Sequence, residues 1–202
     1  MTEARSPRCW KGSKQEMSRG KLILVTGGAR SGKSTFAERY AGKSGKQVVY
    51  LATAEVKDLE MQLRIEEHRR RRPSHFRLVE EPLHPERVLA GGTTATFFLL
   101  DCLTVLLSNH LLQRLEEKAE LSPQRQAEIS AAILEYMDSL AGQMQSCPAD
   151  VLAVTNEVGS GVVPEHLSGR LFRDLAGKTN QLVAARADEV WLTVCGIAKR
   201  FK

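Results

Sequence analysis

The sequence predicts one three-layer α/β domain built on a mostly parallel central sheet. Three observations carry this. Short apolar runs recur along the chain without the polar alternation of a half-exposed strand, which suits strands buried on both faces. Stretches of helical periodicity separate them, and such β–α alternation gives a parallel sheet covered by helices through right-handed crossovers. The length of 202 residues and a hydrophobic content of 42% are enough for one sizeable core. A charged fraction of 26% is ordinary and argues against wholesale disorder.

Residues 1–20 are polar, basic and without periodicity, and read as a disordered leader. The domain is expected over residues 21–202. Leu22–Thr26 is a short apolar strand, followed by a helix over 33–42. Gln47–Ala52 and Thr96–Leu100 are the second and third strands, with a helix over 58–72 between them. That helix opens on Asp58 as N-cap and stops before Pro73. Ser122 and Pro123 open a helix over 123–146, a capping hydroxyl followed by Pro at the first helical position. Ile129, Ile133, Tyr136, Met137, Leu140 and Met144 form its buried stripe. Val151–Thr155, a helix over 167–186 and Val190–Val194 complete the domain, with no internal repeat and no second domain.

The net charge is +5, which by itself admits nucleic acid, a membrane surface or a small anion as partner. Its distribution narrows the choice. Arg5, Arg8, Lys11, Lys14 and Arg19 lie in the leader against Glu3 and Glu16, and Arg69, Arg70, Arg71 and Arg72 form one dense cationic spot. The remainder is slightly acidic, so no broad basic face is written into the chain. The strongest apolar stretch, Ala95–Leu107, is too short to span a bilayer and is broken by Asp101. The N-terminus has no apolar core of a secretory signal, and its glutamates argue against a mitochondrial presequence. Cys9, Cys102, Cys147 and Cys195 are far apart, as expected of reduced thiols in a cytoplasmic protein rather than a disulfide frame or zinc site.

Gly27-Gly28-Ala29-Arg30-Ser31-Gly32-Lys33-Ser34 reads G-x-x-x-x-G-K-S between a strand and a helix, the context of a phosphate-binding P-loop. Glycines let the backbone curl so that its N–H groups face phosphate oxygens, and the helix N-terminus adds positive potential. Lys33 would reach the β- and γ-phosphates, and the Ser34 hydroxyl would ligate Mg²⁺. Asp101 closes the third strand, where a carboxylate can hold Mg²⁺ through water, although a loop aspartate there needs no such role.

Met61, Ile65 and His68 are spaced to share one face of helix 58–72, and the four arginines follow directly. Neighbouring guanidinium charge keeps an imidazole neutral, and a neutral imidazole is a competent nucleophile towards phosphorus. The arginines could clamp a triphosphate and offset charge developing at the attacked phosphorus. The residues alone leave alternatives open: a structural histidine, and an arginine run that is a solvated face or a nucleic-acid contact.

These motifs, with Tyr50-Leu51-Ala52-Thr53-Ala54, Arg64 to Pro73, Glu80-Glu81-Pro82, Leu100-Asp101-Cys102-Leu103-Thr104, Asn156-Glu157-Val158-Gly159, Val163-Pro164-Glu165, Phe172-Arg173-Asp174, Gly177 and Asn180-Gln181, resemble the bifunctional adenosylcobinamide kinase/adenosylcobinamide-phosphate guanylyltransferase family. The resemblance runs from about Lys21 to the C-terminus. It implies a RecA-like P-loop NTPase fold and an enzyme of two steps. An NTP, ATP or GTP, would phosphorylate adenosylcobinamide. GMP would then pass from GTP through a histidine to adenosylcobinamide phosphate, giving adenosylcobinamide-GDP and pyrophosphate. The family's guanylylated histidine falls on His68. Its guanine-nucleotide contacts fall on Gly28, Ala29, Arg30, Ser31, Gly32, Lys33, Ser34 and Thr35, on Ala54, Glu55 and Val56, on Arg69–Arg72, and on Glu80 and Asp101. The family also implies a homo-oligomer, often a trimer. Glu80 could accept hydrogen bonds from guanine N1–H and the 2-amino group, or be a plain surface charge. Arg173, Gly177 and Asn180 share a helix face that could meet the corrinoid, complete a subunit interface, or pack internally. The chain departs from the family in its leader, in Phe76 where the family often has Trp, and in Glu67 where some relatives carry a second His.

Two rival readings stay on the table. A simple kinase would keep Lys33, Ser34 and Asp101 and leave His68 idle. A RecA-like nucleic-acid module would use the basic leader and arginine run, with affinity falling steeply in salt. The near-neutral body and an aromatic content of 5% argue against the second.

Overall fold

The computed structural model describes residues 19–55, 59–115 and 122–202, without the side chains of residues 60, 61, 64, 65, 68 and 71. In chain order the elements are β1 (Leu22–Gly27), α1 (Lys33–Gly42), β2 (Gln47–Ala52), α2 (Leu59–Arg71), β3 (Arg77–Glu80), α3 (Glu86–Leu89) and β4 (Thr96–Asp101). They continue with α4 (Leu103–Arg114), α5 (Pro123–Ser146), β5 (Asp150–Val154), α6 (Leu167–Arg186), β6 (Glu189–Val194) and β7 (Ile197–Arg200). The seven strands form one sheet in the order β3-β2-β4-β5-β1-β6-β7. All neighbours run parallel except β7, which returns antiparallel on β6. The expected α/β class and mostly parallel sheet are therefore what the chain forms.

Each central strand is buried on both faces, so alternate residues feed two cores. Leu22 and Leu24 of β1 join Val49, Leu51, Phe98, Leu100, Val151 and Ala153 beneath α4, α5 and α6. Ile23 and Val25 join Val48, Tyr50, Phe97, Leu99, Leu152 and Val154 against Ala37 and Ala41 of α1. Three layers result, with α1 packed on the second face. Each large aliphatic side chain buried this way contributes about 1.5–3 kcal/mol, and removing one would leave a cavity.

The expected helix over 123–146 forms with those bounds, and the Ser122 hydroxyl accepts the Arg125 N–H at 3.2 Å. The expected stripe is buried along it, with Tyr136 only half-buried. Four elements are additions to the sequence reading: β3, α3, α4 and β7. The helix expected over 58–72 is observed as Leu59–Arg71, and its proposed cap, Asp58, lies outside the described residues. Residues 1–18 of the expected leader also lie outside them. Arg19 and Gly20, placed in that leader, are instead tied to the fold. The Arg19 guanidinium makes two bonds of 2.9 and 2.8 Å to Asp188, and the Gly20 N–H donates to the Cys147 carbonyl at 2.8 Å. Phe76 is 6% exposed and packs in the α1-side core, so its ring is a core residue. Among the described residues Cys102, Cys147 and Cys195 are free thiols, and no helix is long and apolar enough to cross a membrane.

Candidate active site

The parallel strands β1, β2, β4 and β5 end on one edge of the sheet, where an open α/β fold takes its ligands. There β1 passes through Gly27–Gly32 into α1. Gly27 has φ +153° and Gly32 φ +97°, and a Cβ at Gly27 would lie 2.4 Å from the Thr193 carbonyl oxygen. A Cβ at Gly32 would lie 3.1 Å from Gly196 Cα. Both positions therefore need glycine for conformation and for space. Arg30, between them, has φ 54°. Lys33 is buried, and its Nζ donates to the Gly28 carbonyl at 2.7 Å, which folds the side chain back over its own loop. Burial pulls the Lys33 pKa below its ordinary value, with the nearby Asp101 carboxylate among the groups working against that shift.

The loop is braced from two sides. Ser31 and Thr193 hydroxyls meet at 2.8 Å, and the Thr193 hydroxyl donates to the Thr26 carbonyl at 3.1 Å, which makes Ser31 the donor of the first bond. The Gly196 N–H donates to the Ser31 carbonyl at 2.9 Å. Gly196 belongs to the two-residue turn between β6 and β7, where Cys195 and Gly196 have φ 52° and 81°. Positive φ at both turn positions matches the right-handed twist of a tight hairpin. On the other side, the Glu157 N–H donates to the Gly27 carbonyl at 2.9 Å, so the segment after β5 abuts the loop.

Asp101 ends β4, and the Tyr50 hydroxyl of β2 donates to its Oδ2 at 2.6 Å. Burial first, then the Asp101 charge, pushes the Tyr50 phenol far above its ordinary pKa, so it stays a donor. The Arg72 guanidinium lies over the Tyr50 ring at 3.8 Å from its centroid. Thr53 continues the β2–β4 pairing, because its hydroxyl accepts the Cys102 N–H at 2.8 Å and donates to the Cys102 carbonyl at 2.9 Å.

The arginine run divides among different partners. Arg69 pairs with Glu80 at 2.7 Å, and Arg70 stands 3.8 Å from Glu66. Arg72 stacks on Tyr50, and its buried Nε has no hydrogen-bond partner among the described residues. Arg69 and Glu80, both site candidates, thus lie together. His68 is on α2, four residues before Arg72, and its side chain is outside the described ones, as are those of Met61, Ile65 and Arg71. The shared face expected for Met61, Ile65 and His68 lies there too. Leu59 and Leu63 of α2 are 71% and 58% exposed. Ala54 and Glu55 follow β2, and Val56 lies outside the described residues.

Among the described residues no group of three or more His, Cys, Asp or Glu side chains is placed to hold a metal by itself. Ser34, at the start of α1, and Asp101, at the end of β4, carry hard oxygen donors. That suits Mg²⁺, which usually completes its shell with phosphate and water.

Sequence reasoning overlooked several residues that build the site. Tyr50 acts on Asp101 from β2, and Thr193 and Gly196 act on the loop from β6 and the turn after it. Asn109 of α4, 4% exposed, donates its amide to the Thr53 carbonyl at 2.9 Å and the Pro82 carbonyl at 3.0 Å. Asn180, half-buried, is tied to the end of β5. It accepts the Thr155 hydroxyl at 2.6 Å and donates to the Asn156 carbonyl at 3.2 Å, while Thr104 accepts the Asn156 N–H at 2.7 Å. Arg173 pairs with its neighbour Asp174 at 2.9 Å.

The family model described as "Cobinamide kinase / cobinamide phosphate guanyltransferase" matches residues 23–201. The chain is 46% identical over 182 residues to the "Bifunctional adenosylcobalamin biosynthesis protein CobU" of Escherichia coli (strain K12), covering 90% of this chain and 99% of the relative. It is 43% identical to the protein of the same description from Salmonella typhimurium, with the same coverage. Among solved structures it is similar to the RadB recombinase, with 17% identity and a TM-score of 0.43 over 86% of this chain and 74% of the other.

Proposed function

The chain belongs to the cobinamide kinase/cobinamide phosphate guanyltransferase family, and from that premise we propose that one phosphate cradle serves both reactions, with His68 as covalent carrier in the second. The observation that carries this is the junction at Tyr50. Its hydroxyl holds Asp101 at 2.6 Å and its ring carries Arg72 at 3.8 Å. The cationic end of α2 is thereby tied to the strand end that carries Asp101, on the edge of the sheet where β1 also ends in the P-loop, and His68 lies about 6 Å further up the helix axis.

In the kinase step, the loop N–H groups and Lys33 bind the triphosphate. The aminopropanol hydroxyl oxygen of adenosylcobinamide attacks the γ-phosphorus, its proton leaves, and the bond to the β-phosphate oxygen breaks to release NDP. In the transfer step, a His68 nitrogen attacks the α-phosphorus of GTP and pyrophosphate departs, leaving a P–N bond. A phosphate oxygen of adenosylcobinamide phosphate then attacks the same phosphorus, the P–N bond breaks, and adenosylcobinamide-GDP forms with free histidine. Splitting one hard transfer into two in-line displacements is the advantage of the adduct. Lys33 and the loop steady the departing pyrophosphate, and Arg69–Arg72 steady the charge at the α-phosphate. Glu80 would read the guanine N1–H and 2-amino group. Ser34 and Asp101 would hold Mg²⁺, which when bound neutralises charge on the phosphates. We also read the enzyme as cytoplasmic and as a homo-oligomer, a trimer by resemblance, which light scattering on the purified protein would test.

The deciding experiment is incubation with α-labelled GTP. An acid-labile, alkali-stable label on the protein, absent in His68→Ala, is expected. No label on the wild-type protein overturns the transfer mechanism and leaves a kinase alone.

A further inference from the structure

β2 and β3 pair from Val49–Arg77 to Ala52–Glu80, and the Glu81 N–H to the Ala52 carbonyl at 2.9 Å is a further link where both strands end. Beyond that point lie two segments that carry nucleotide contacts in the proposed reading: Thr53 leading to Ala54 and Glu55, and Glu80 leading to Pro82. The Asn109 side chain takes over as the strands finish. Its one NH₂ group donates to both the Thr53 and Pro82 carbonyls, at 2.9 and 3.0 Å. Both partners are carbonyls, so the nitrogen must be the atom facing them. The next carbonyl, of Leu83, accepts His110 Nε2 at 2.9 Å and the Tyr136 hydroxyl at 2.7 Å, which pins the same loop to α4 and α5. Glu81 reinforces the turn by accepting the N–H groups of Leu83 and His84.

We infer that Asn109 is a positioning residue for base selection. It fixes the spacing between the Thr53–Ala54 segment and the Glu80 loop, so that the Glu80 carboxylate is presented at one depth to the guanine edge. Its two bonds to Thr53 and Pro82 act on the base-side segments and not on the phosphate loop. The inference rests on the reading of Glu80 as the guanine-recognising group. Buried Asn109 is a costly residue to choose for packing alone, because an amide in the interior must find partners. Here its two hydrogens extend the link between the two segments one residue beyond the Glu81–Ala52 bond.

The test compares adduct formation from GTP and from ITP, which lacks the 2-amino group, with binding of inorganic tripolyphosphate, which has no base. In Asn109→Ala the kcat/KM ratio of GTP to ITP is expected to fall about tenfold, while tripolyphosphate affinity changes by less than about twofold. A ratio that stays at the wild-type value overturns the inference. So does equal weakening of GTP, ITP and tripolyphosphate, the mark of a merely structural role. Asn109→Ser has a single donor hydrogen and cannot serve both carbonyls, so it gives the same comparison if the alanine variant fails to fold. Glu80→Gln separates the two levels. An altered ratio there with an unaltered one in the Asn109 variants defeats only the role of Asn109. An unaltered ratio in Glu80→Gln defeats the reading of Glu80, and the inference with it.

Discussion

The P-loop and helix α2 carry the two halves of the proposed chemistry, and they are held in opposite ways. The loop lies between β5 and β6, buttressed by Thr193, Gly196 and Glu157 through hydrogen bonds of 2.8–3.1 Å from segments distant in sequence. Among its described side chains, α2 exposes Leu59 and Leu63, and the described links from this segment to the body are Arg72 on Tyr50 and an exposed Arg69–Glu80 pair. A group that must hold a triphosphate in both reactions gains from a preorganised frame, since electrostatic stabilisation depends on donors that need no reorganisation. A carrier needed in only one reaction has no such requirement.

The difference can be broken most directly by Lys33→Ala, which should lower kinase and transfer rates alike by about a thousandfold. Separate assays of NDP release and of adduct formation would show it, and a surviving kinase would mean that two cradles exist. Thr193→Val should have the next effect. It removes the hydroxyl that receives Ser31 and donates to Thr26, at a cost of about 1–3 kcal/mol for a buried group left unpaired. NTP KM should rise severalfold in both reactions, with a lowered urea midpoint; a change in one reaction alone would contradict a shared frame. Arg69→Ala should act on one side of the comparison only. Guanylyl transfer should fall about tenfold, while stability shifts by less than about 0.5 kcal/mol because the pair is exposed. Equal loss of kinase activity would show that α2 belongs to the common frame.

The smallest effect is on acid stability. The Arg19 hydrogen bond, foremost, holds the Asp188 carboxyl down at about 2 from its ordinary 3.8. A depressed carboxylate stabilises the folded state above its unfolded pKa, and that contribution is lost as pH falls from about 4 to about 2. Asp188→Asn should remove that part of the acid-unfolding curve without altering either activity at neutral pH.

Much of the scaffold was legible because central strands announce themselves. Leu22–Val25, Val48–Leu51 and Phe97–Leu100 are continuous apolar runs, and only a strand covered on both faces tolerates that. The elements overlooked have weaker local signals. β3 is four residues at the sheet edge with no fully buried residue, and β7 is an exposed four-residue return strand. α4 was hidden for the opposite reason. It is buried along most of its length, so it lacks an amphipathic period, and it follows β4 after one residue, merging with it into a single apolar stretch. Gly196 is the sharpest omission. A Cys-Gly pair is not an obvious hairpin turn, and its contact with the P-loop depends on β6 lying beside β1.

The sequence by itself determined the α/β layering, the phosphate loop with Lys33 and Ser34, the placement of Asp101 at a strand end, and the cationic helix that carries His68. Each of these depends on neighbours within roughly a dozen residues, where periodicity, capping and turn chemistry operate. Only the tertiary structure decided that Thr193 and Gly196 brace the loop, that Tyr50 links Asp101 to Arg72, that Arg69 meets Glu80, and that Asn109 joins two segments beyond the ends of β2 and β3. Those contacts depend on strand order and on which side chains share a face after folding. Neither is encoded in any local stretch of chain, because the order is selected by how all the layers pack together.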